Sequence, residues 1–122
     1  MKKFKLDLSE YEVTMLQPDM ESGKHEMKEV TQPYPLRDNF SSWLRSPGIF
    51  RTGEDIAEAV SVAKQIRDCA EDSIELDERE ANVLKQAVNR LIELTAEGKA
   101  NLGGEIHEEA IVRVVKMKEV KQ

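Results

Sequence analysis

The strongest constraint on the fold lies in residues 73–98, SIELDEREANVLKQAVNRLIELTAEG. Ile74 and Leu76 alternate with polar residues, the mark of a short extended segment, and Asp77 with Glu80 three places on matches a capping box. A helix is expected to start there. Past the cap, Ala81, Leu84, Ala87, Val88, Leu91, Ile92 and Leu94 recur at helical spacing, while Lys85, Gln86, Asn89, Arg90 and Glu93 face the other way. Gly98 suits the left-handed turn that ends many helices. This stripe holds no aromatic residue, so the helix needs partners to bury a useful area.

At 122 residues, with 39% hydrophobic and 34% charged side chains, the chain fits one domain with a lean core and charged helices. The domain is expected to span residues 1–122: a β lead-in to residue 30, a proline and aromatic connector over 31–52, a helical hairpin over 53–98 and a C-terminal helix over 104–119. No run of apolar residues approaches a membrane span, and the alternation after Met1-Lys2-Lys3 is not a signal-peptide core. A cytoplasmic protein with no membrane partner is the expectation. The single cysteine, Cys69, excludes an internal disulfide and reads as a small residue on a helix face. Residues 53–98 carry twelve acids and five bases, leaving about +1 for the rest of a chain of net charge −6. An acidic half of this kind argues against direct nucleic-acid binding, which is built from clustered lysine and arginine.

Residues 2–8 alternate with Phe4, Leu6 and Leu8 on one side, and residues 11–16 repeat the pattern with Tyr11, Val13 and Met15. Both read as strands. Residues 17–24 contain Pro18, Asp19, Ser22 and Gly23, which is turn chemistry, and lead into a return strand ending at Val30. A hairpin or three-stranded meander is expected, covered by helices because so small a sheet is marginal alone. Asp38 or Asn39 is the expected cap of a short helix carrying Phe40, Trp43 and Leu44, stopped by Pro47-Gly48. Thr52 with Asp55 caps a helix over 53–71, with Ile56, Ala59, Val60, Ala63, Ile66 and Ala70 at helical spacing. The link 71–76 is short and suits an antiparallel helical hairpin. In the last segment Ile106, Ala110, Ile111, Val114 and Val115 share a helix face, with glutamates early and basic residues late, as the helix dipole favours. Valines keep a strand over 110–117 as the alternative. The fold class is therefore α+β: a small antiparallel sheet, a short helix, a helical hairpin and a C-terminal helix.

Chemistry-bearing motifs are scarce. His25 and His107 sit in different segments, and His107-Glu108-Glu109-Ala110-Ile111 has isoleucine where H-E-x-x-H needs its second ligand. None of Ser41, Ser42, Ser46, Ser61 and Ser73 has the setting of a nucleophile. Gly103-Gly104 before a helix would offer backbone N–H groups to an anion, but Glu105, Glu108 and Glu109 follow. No catalytic residue, metal or cofactor is expected. The acidic run Asp68, Glu71, Asp72, Glu75, Asp77, Glu78 and Glu80 reads as a solvated hairpin turn, or else as a docking surface formed by Asp68, Glu71, Asp72, Glu75 and Glu78. All six aromatic residues fall in the first fifty positions. Tyr34, Phe40, Trp43, Leu44 and Phe50 either fill the gap between sheet and aromatic-free helices or form an arm that anchors a protein partner.

A lysine-rich first strand (KKFKLDL), a longer helix (EDIAEAVSVAKQIRD) and an I-x-L-x-x-x-E-x-x-x-L-K pattern met by Ile74, Leu76, Glu80, Leu84 and Lys85 resemble a loose group of small accessory proteins of tailed bacteriophages. The likeness covers most of the chain. Its motif is generic to capped amphipathic helices, and the valine-rich end replaces the aromatic-containing finish of many of that group. The resemblance implies a virus-encoded, non-catalytic protein of the host cytoplasm or the virion that works by contact, in particle assembly or against a host protein. The function expected is thus that of a self-associating interaction protein. The alternative is an acidic inhibitor that fills the basic, nucleic-acid-binding groove of a host protein.

Overall fold

The computed structural model describes residues 2–18, 26–102 and 105–120. Its elements follow the order β1 (Lys3–Asp7), β2 (Glu12–Pro18), β3 (Met27–Pro33), α1 (Leu36–Leu44), α2 (Gly53–Asp68), β4 (Ser73–Asp77), α3 (Glu78–Ala96), α4 (Glu108–Val115) and β5 (Lys118–Glu119), with a 3-10 turn at Glu105–His107. The class is α+β. His25, the turn residues 19–24 and Gly103-Gly104 lie outside the described residues.

Of the expected hairpin or three-stranded meander, the antiparallel β2–β3 pair forms but β1 does not join it. β1 is the centre of an antiparallel sheet of order β4-β1-β5, and β2 with β3 forms a separate two-stranded sheet. Alternation identifies the apolar face of β1 but does not choose its neighbour. The neighbour is chosen by a match along the strand: Phe4 faces Leu76 and Leu6 faces Ile74 toward the core, while Lys3 faces Asp77 and Lys5 faces Glu75 on the other side. Backbone bonds Leu8 N to Asp72 O and Val120 N to Lys3 O, each 2.7 Å, extend the two ladders. The short extended segment expected at Ile74 and Leu76 is thus a full edge strand, and only the residues before it serve as the link from α2.

Helix boundaries follow their caps. Thr52 Oγ1 accepts from Asp55 N at 3.1 Å to open α2, and the capping box of α3 closes in both directions: Asp77 Oδ1 accepts from Glu80 N at 2.8 Å and Glu80 Oε1 from Asp77 N at 3.0 Å. Gly98 takes a φ of 77° just past α3. α1 begins earlier than expected, with Pro35 as its N-cap rather than Asp38 or Asn39, because the Pro35 carbonyl already accepts the first helical bond, from Asn39 N at 2.9 Å. α2 stops at Asp68, and Cys69 turns into extended backbone as its C-cap. Residues 108–115 are helix, so the alternative strand over 110–117 does not form; the two-residue β5 follows at Lys118–Glu119.

One apolar cluster joins β1, α1, α2, β4, α3 and α4. α3 supplies Ala81, Val83, Leu84, Ala87, Val88 and Leu91, and α2 supplies Ala59, Val62, Ala63 and Ile66. The buried stripe of α2 is turned from the expected one, with Val62 inside and Ile56 half exposed. Because these faces are small, the bulk comes from elsewhere: Phe40 is fully buried, and Tyr34, Trp43, Leu44 and Phe50 are all at most 8% exposed. Burying one such side chain contributes about 1.5–3 kcal/mol.

Candidate functional site: the β2–β3 ribbon and its root

The two readings of the aromatic segment are now separated. Tyr34, Phe40, Trp43, Leu44 and Phe50 are core residues, which corrects the expectation of an arm presented to a partner. The physical reason is volume: the alanine-rich faces of α2 and α3 leave space that α1, packed against both helices, fills with rings, Phe40 meeting Trp43 edge-on at 5.4 Å.

The acidic residues are also redistributed. Asp68, Glu71, Asp72, Glu75 and Glu78 are all exposed, Asp68 ending α2, Glu71 and Asp72 in the link to β4, Glu75 in the middle of β4 and Glu78 opening α3. Glu75 lies opposite Lys5 in the β1–β4 register. Asp72 shares an open groove of about 500 Å³ with Lys5, Arg113, Lys116 and Lys118. Cations therefore interleave with the acids, and the surface is mixed in charge.

What stands out instead is the β2–β3 ribbon. Its seven register pairs run from Glu12–Pro33 to Pro18–Met27, yet none of its residues is buried. Val13, Met15 and Val30 are half buried on one face; Thr14 and Thr31 join hydroxyls at 2.9 Å on the other. Leu16 and Met27, 63% and 57% exposed, are the two most exposed large hydrophobic residues described. They share that second face near the far end, as diagonal cross-strand neighbours. An isolated two-stranded ribbon is marginal in water, so this one depends on its root.

The root is an aromatic and cationic cluster. Tyr11 stacks on Tyr34 at 5.0 Å, and the Tyr34 hydroxyl bonds to His107 Nδ1 at 2.7 Å. The His107 ring meets Trp43 edge-on at 6.0 Å. Arg113 lies 4.7 Å over the Tyr11 ring and donates to Ser9 O at 2.7 Å and Glu109 Oε1 at 3.0 Å. Burial pushes the Tyr11 phenol up to about 12, Tyr34 adding to the rise and Arg113 opposing it. Burial raises Tyr34 as well and lowers the His107 imidazole. Hydrogen bonds from the Ser9 hydroxyl and backbone, with help from Arg113 and Lys5, hold the Asp7 carboxyl below the ordinary carboxylate value.

Sequence reasoning missed Leu16, Met27, His107 and Arg113 as parts of this site. A signal for the first existed: Tyr11, Val13 and Met15 set the apolar parity of β2, and Leu16 is a large aliphatic residue on the wrong side of it. His107 and Arg113 carried no local signal, because their partners are far away in sequence.

Among the described residues no group of three or more His, Cys, Asp or Glu is placed to hold a metal ion, and no helix is long and apolar enough to cross a membrane. Comparison with protein-family models, curated proteins and solved structures returned no match.

Proposed function

We propose that this is a non-catalytic interaction protein whose working surface is the distal half of the β2–β3 ribbon. The observation that carries this reading is the placement of Leu16 and Met27, large and exposed, on a ribbon held to the body only at its root. Solvent-facing aliphatic residues on a paired but uncovered ribbon suit a protein partner that extends or covers the sheet. A role as an accessory or assembly component of a tailed bacteriophage, as the sequence resemblance implies, is compatible with a small contact protein of this design. The acidic-inhibitor alternative has less in its favour, because Lys5, Lys116 and Lys118 lie among the acids that a nucleic-acid mimic would keep clear of bases.

A photo-crosslinking side chain at position 16, compared with one at the exposed Gln86 of α3, tests this in cells that express the chain. Discrete adducts from position 16 and none from position 86 are expected. Equal labelling from both would sink the reading.

A further inference from the structure

The backbone order of the ribbon decides which of its polar groups look outward. Tyr34 N donates to Tyr11 O at 2.9 Å, so the alternation of an antiparallel ladder makes Val13–Gln32, Met15–Val30 and Gln17–Lys28 the hydrogen-bonded pairs. Glu12, Thr14 and Leu16 on β2, and Met27, Glu29 and Thr31 on β3, then aim their N–H and C=O groups away from the ribbon. Pro18 and Pro33 fall in this outward set, the positions where a missing N–H leaves the ladder intact. Among the described residues no other strand pairs with either edge, and Glu12, Thr14 and Leu16 form no other backbone hydrogen bond.

The two edges differ in charge. β3 carries Lys28 and Glu29 in its first half, the kind of charged guard that keeps an edge unpaired. β2 has no charge from Val13 to Gln17. A chain of net charge −6 repels its own copy, so contact between copies is favoured where the edge itself brings no charge.

We propose that β2 pairs antiparallel with β2 of a second copy about a two-fold axis at Met15, forming a four-stranded sheet across the two chains. This rests on the ribbon being the contact surface. Two-fold pairing of identical strands sets residues of equal parity against each other. Met15 then meets Met15 of the second copy, Thr14 meets Leu16, Val13 meets Gln17 and Glu12 meets Pro18, so no like charges face each other. The outward groups of Thr14 and Leu16 gain hydrogen bonds, and the two Leu16 side chains become diagonal neighbours on one face, each flanked by the Met27 of its own copy.

Disulfide trapping tests the register. The central Met15 pair is a non-hydrogen-bonded one with Cα atoms about 4.5 Å apart, within the span a disulfide bridges. In a Cys69→Ser background, Met15→Cys is expected to form a disulfide dimer under mild oxidation, whereas Thr31→Cys on the β3 edge stays monomeric. Leu16→Pro removes an outward N–H and no ladder bond. It is expected to raise the dimer dissociation constant by roughly tenfold, measured by sedimentation, with an unchanged circular dichroism spectrum.

A chain that is monomeric to about 1 mM, or Met15→Cys crosslinking no faster than Thr31→Cys, overturns self-pairing. So does a dimer indifferent to Leu16→Pro. If position 16 still gives adducts with another protein, only self-pairing falls and the ribbon remains the contact surface; if it labels no better than Gln86, both fall.

Discussion

The Tyr34 hydroxyl lies 2.7 Å from His107 Nδ1, joining the residue after β3 to the residue before α4 across 73 positions of sequence. Together with the Tyr11–Tyr34 stack and Arg113, this contact anchors a ribbon that buries none of its own side chains. The root is therefore polar and titratable, whereas the core beneath it is aliphatic and aromatic.

That chemistry gives the fold a pH dependence of known sign. Burial lowers the His107 pKa below 6.5, so between that value and the folded one the unfolded chain binds more protons than the native chain. Stability is full above about pH 6.5, declines as pH falls toward the folded value and then levels off. Urea midpoints measured from about pH 8 to pH 5 should show this decline, and His107→Gln should remove it. Asp7 acts in a separate window: its carboxyl is held below 3.8, so its contribution is lost only as pH falls below about 4.

Replacing the rings of α1 should cost stability before it costs any contact. Phe40→Ala and Trp43→Ala, at 0% and 8% exposure, are each expected to destabilise by about 3–5 kcal/mol. Chemical denaturation measures the loss. A Trp43→Ala chain of unchanged stability would contradict the packing described.

The capping box offers a smaller effect. Asp77→Ala removes the acceptor for Glu80 N and should cost about 1 kcal/mol. Glu80 also accepts from Gln65 of α2 at 2.6 Å, tying the two helices together. The double replacement of Asp77 and Glu80 should therefore be non-additive in a thermodynamic cycle.

Arg113 tests the root directly. Its side chain is 11% exposed and uses the guanidinium fork for Ser9 O and Glu109 while covering the Tyr11 ring. Lysine keeps the charge but not the fork, so Arg113→Lys should destabilise by about 1.5–3 kcal/mol. Glu109→Gln, at an exposed partner, should cost less than about 1 kcal/mol. Equal losses from both would place the weight on the ion pair and not on the carbonyl and ring contacts.

Much of the fold was legible in the sequence. Thr52 and Asp77 mark helix starts, Gly98 marks an end, and the apolar spacing of α3 names most of its buried face, missing Val83 and wrongly including the exposed Ile92, because caps and i to i+4 contacts act within one or two turns. The ribbon was legible as two strands around a turn. The candidate site was not, since Tyr34 pairs with His107 and Tyr11 with Arg113 through contacts that no local pattern encodes.

Sequence alone thus determined where the chain bends, caps and alternates, and hence the α+β class. Only the tertiary structure decided that β1 joins β4 and β5 instead of β2, that the rings turn inward, and that Leu16 and Met27 stay outside. The reason is that periodicity specifies which face of an element is apolar, whereas its neighbour is set by a competition over the whole chain. Thin alanine faces on α2 and α3 drew the aromatic residues into the core, and a match of apolar and charged rows drew β4 onto β1. The β2–β3 ribbon turns a half-buried row headed by Val13 toward the core, and among the described residues neither of its edges pairs with another strand.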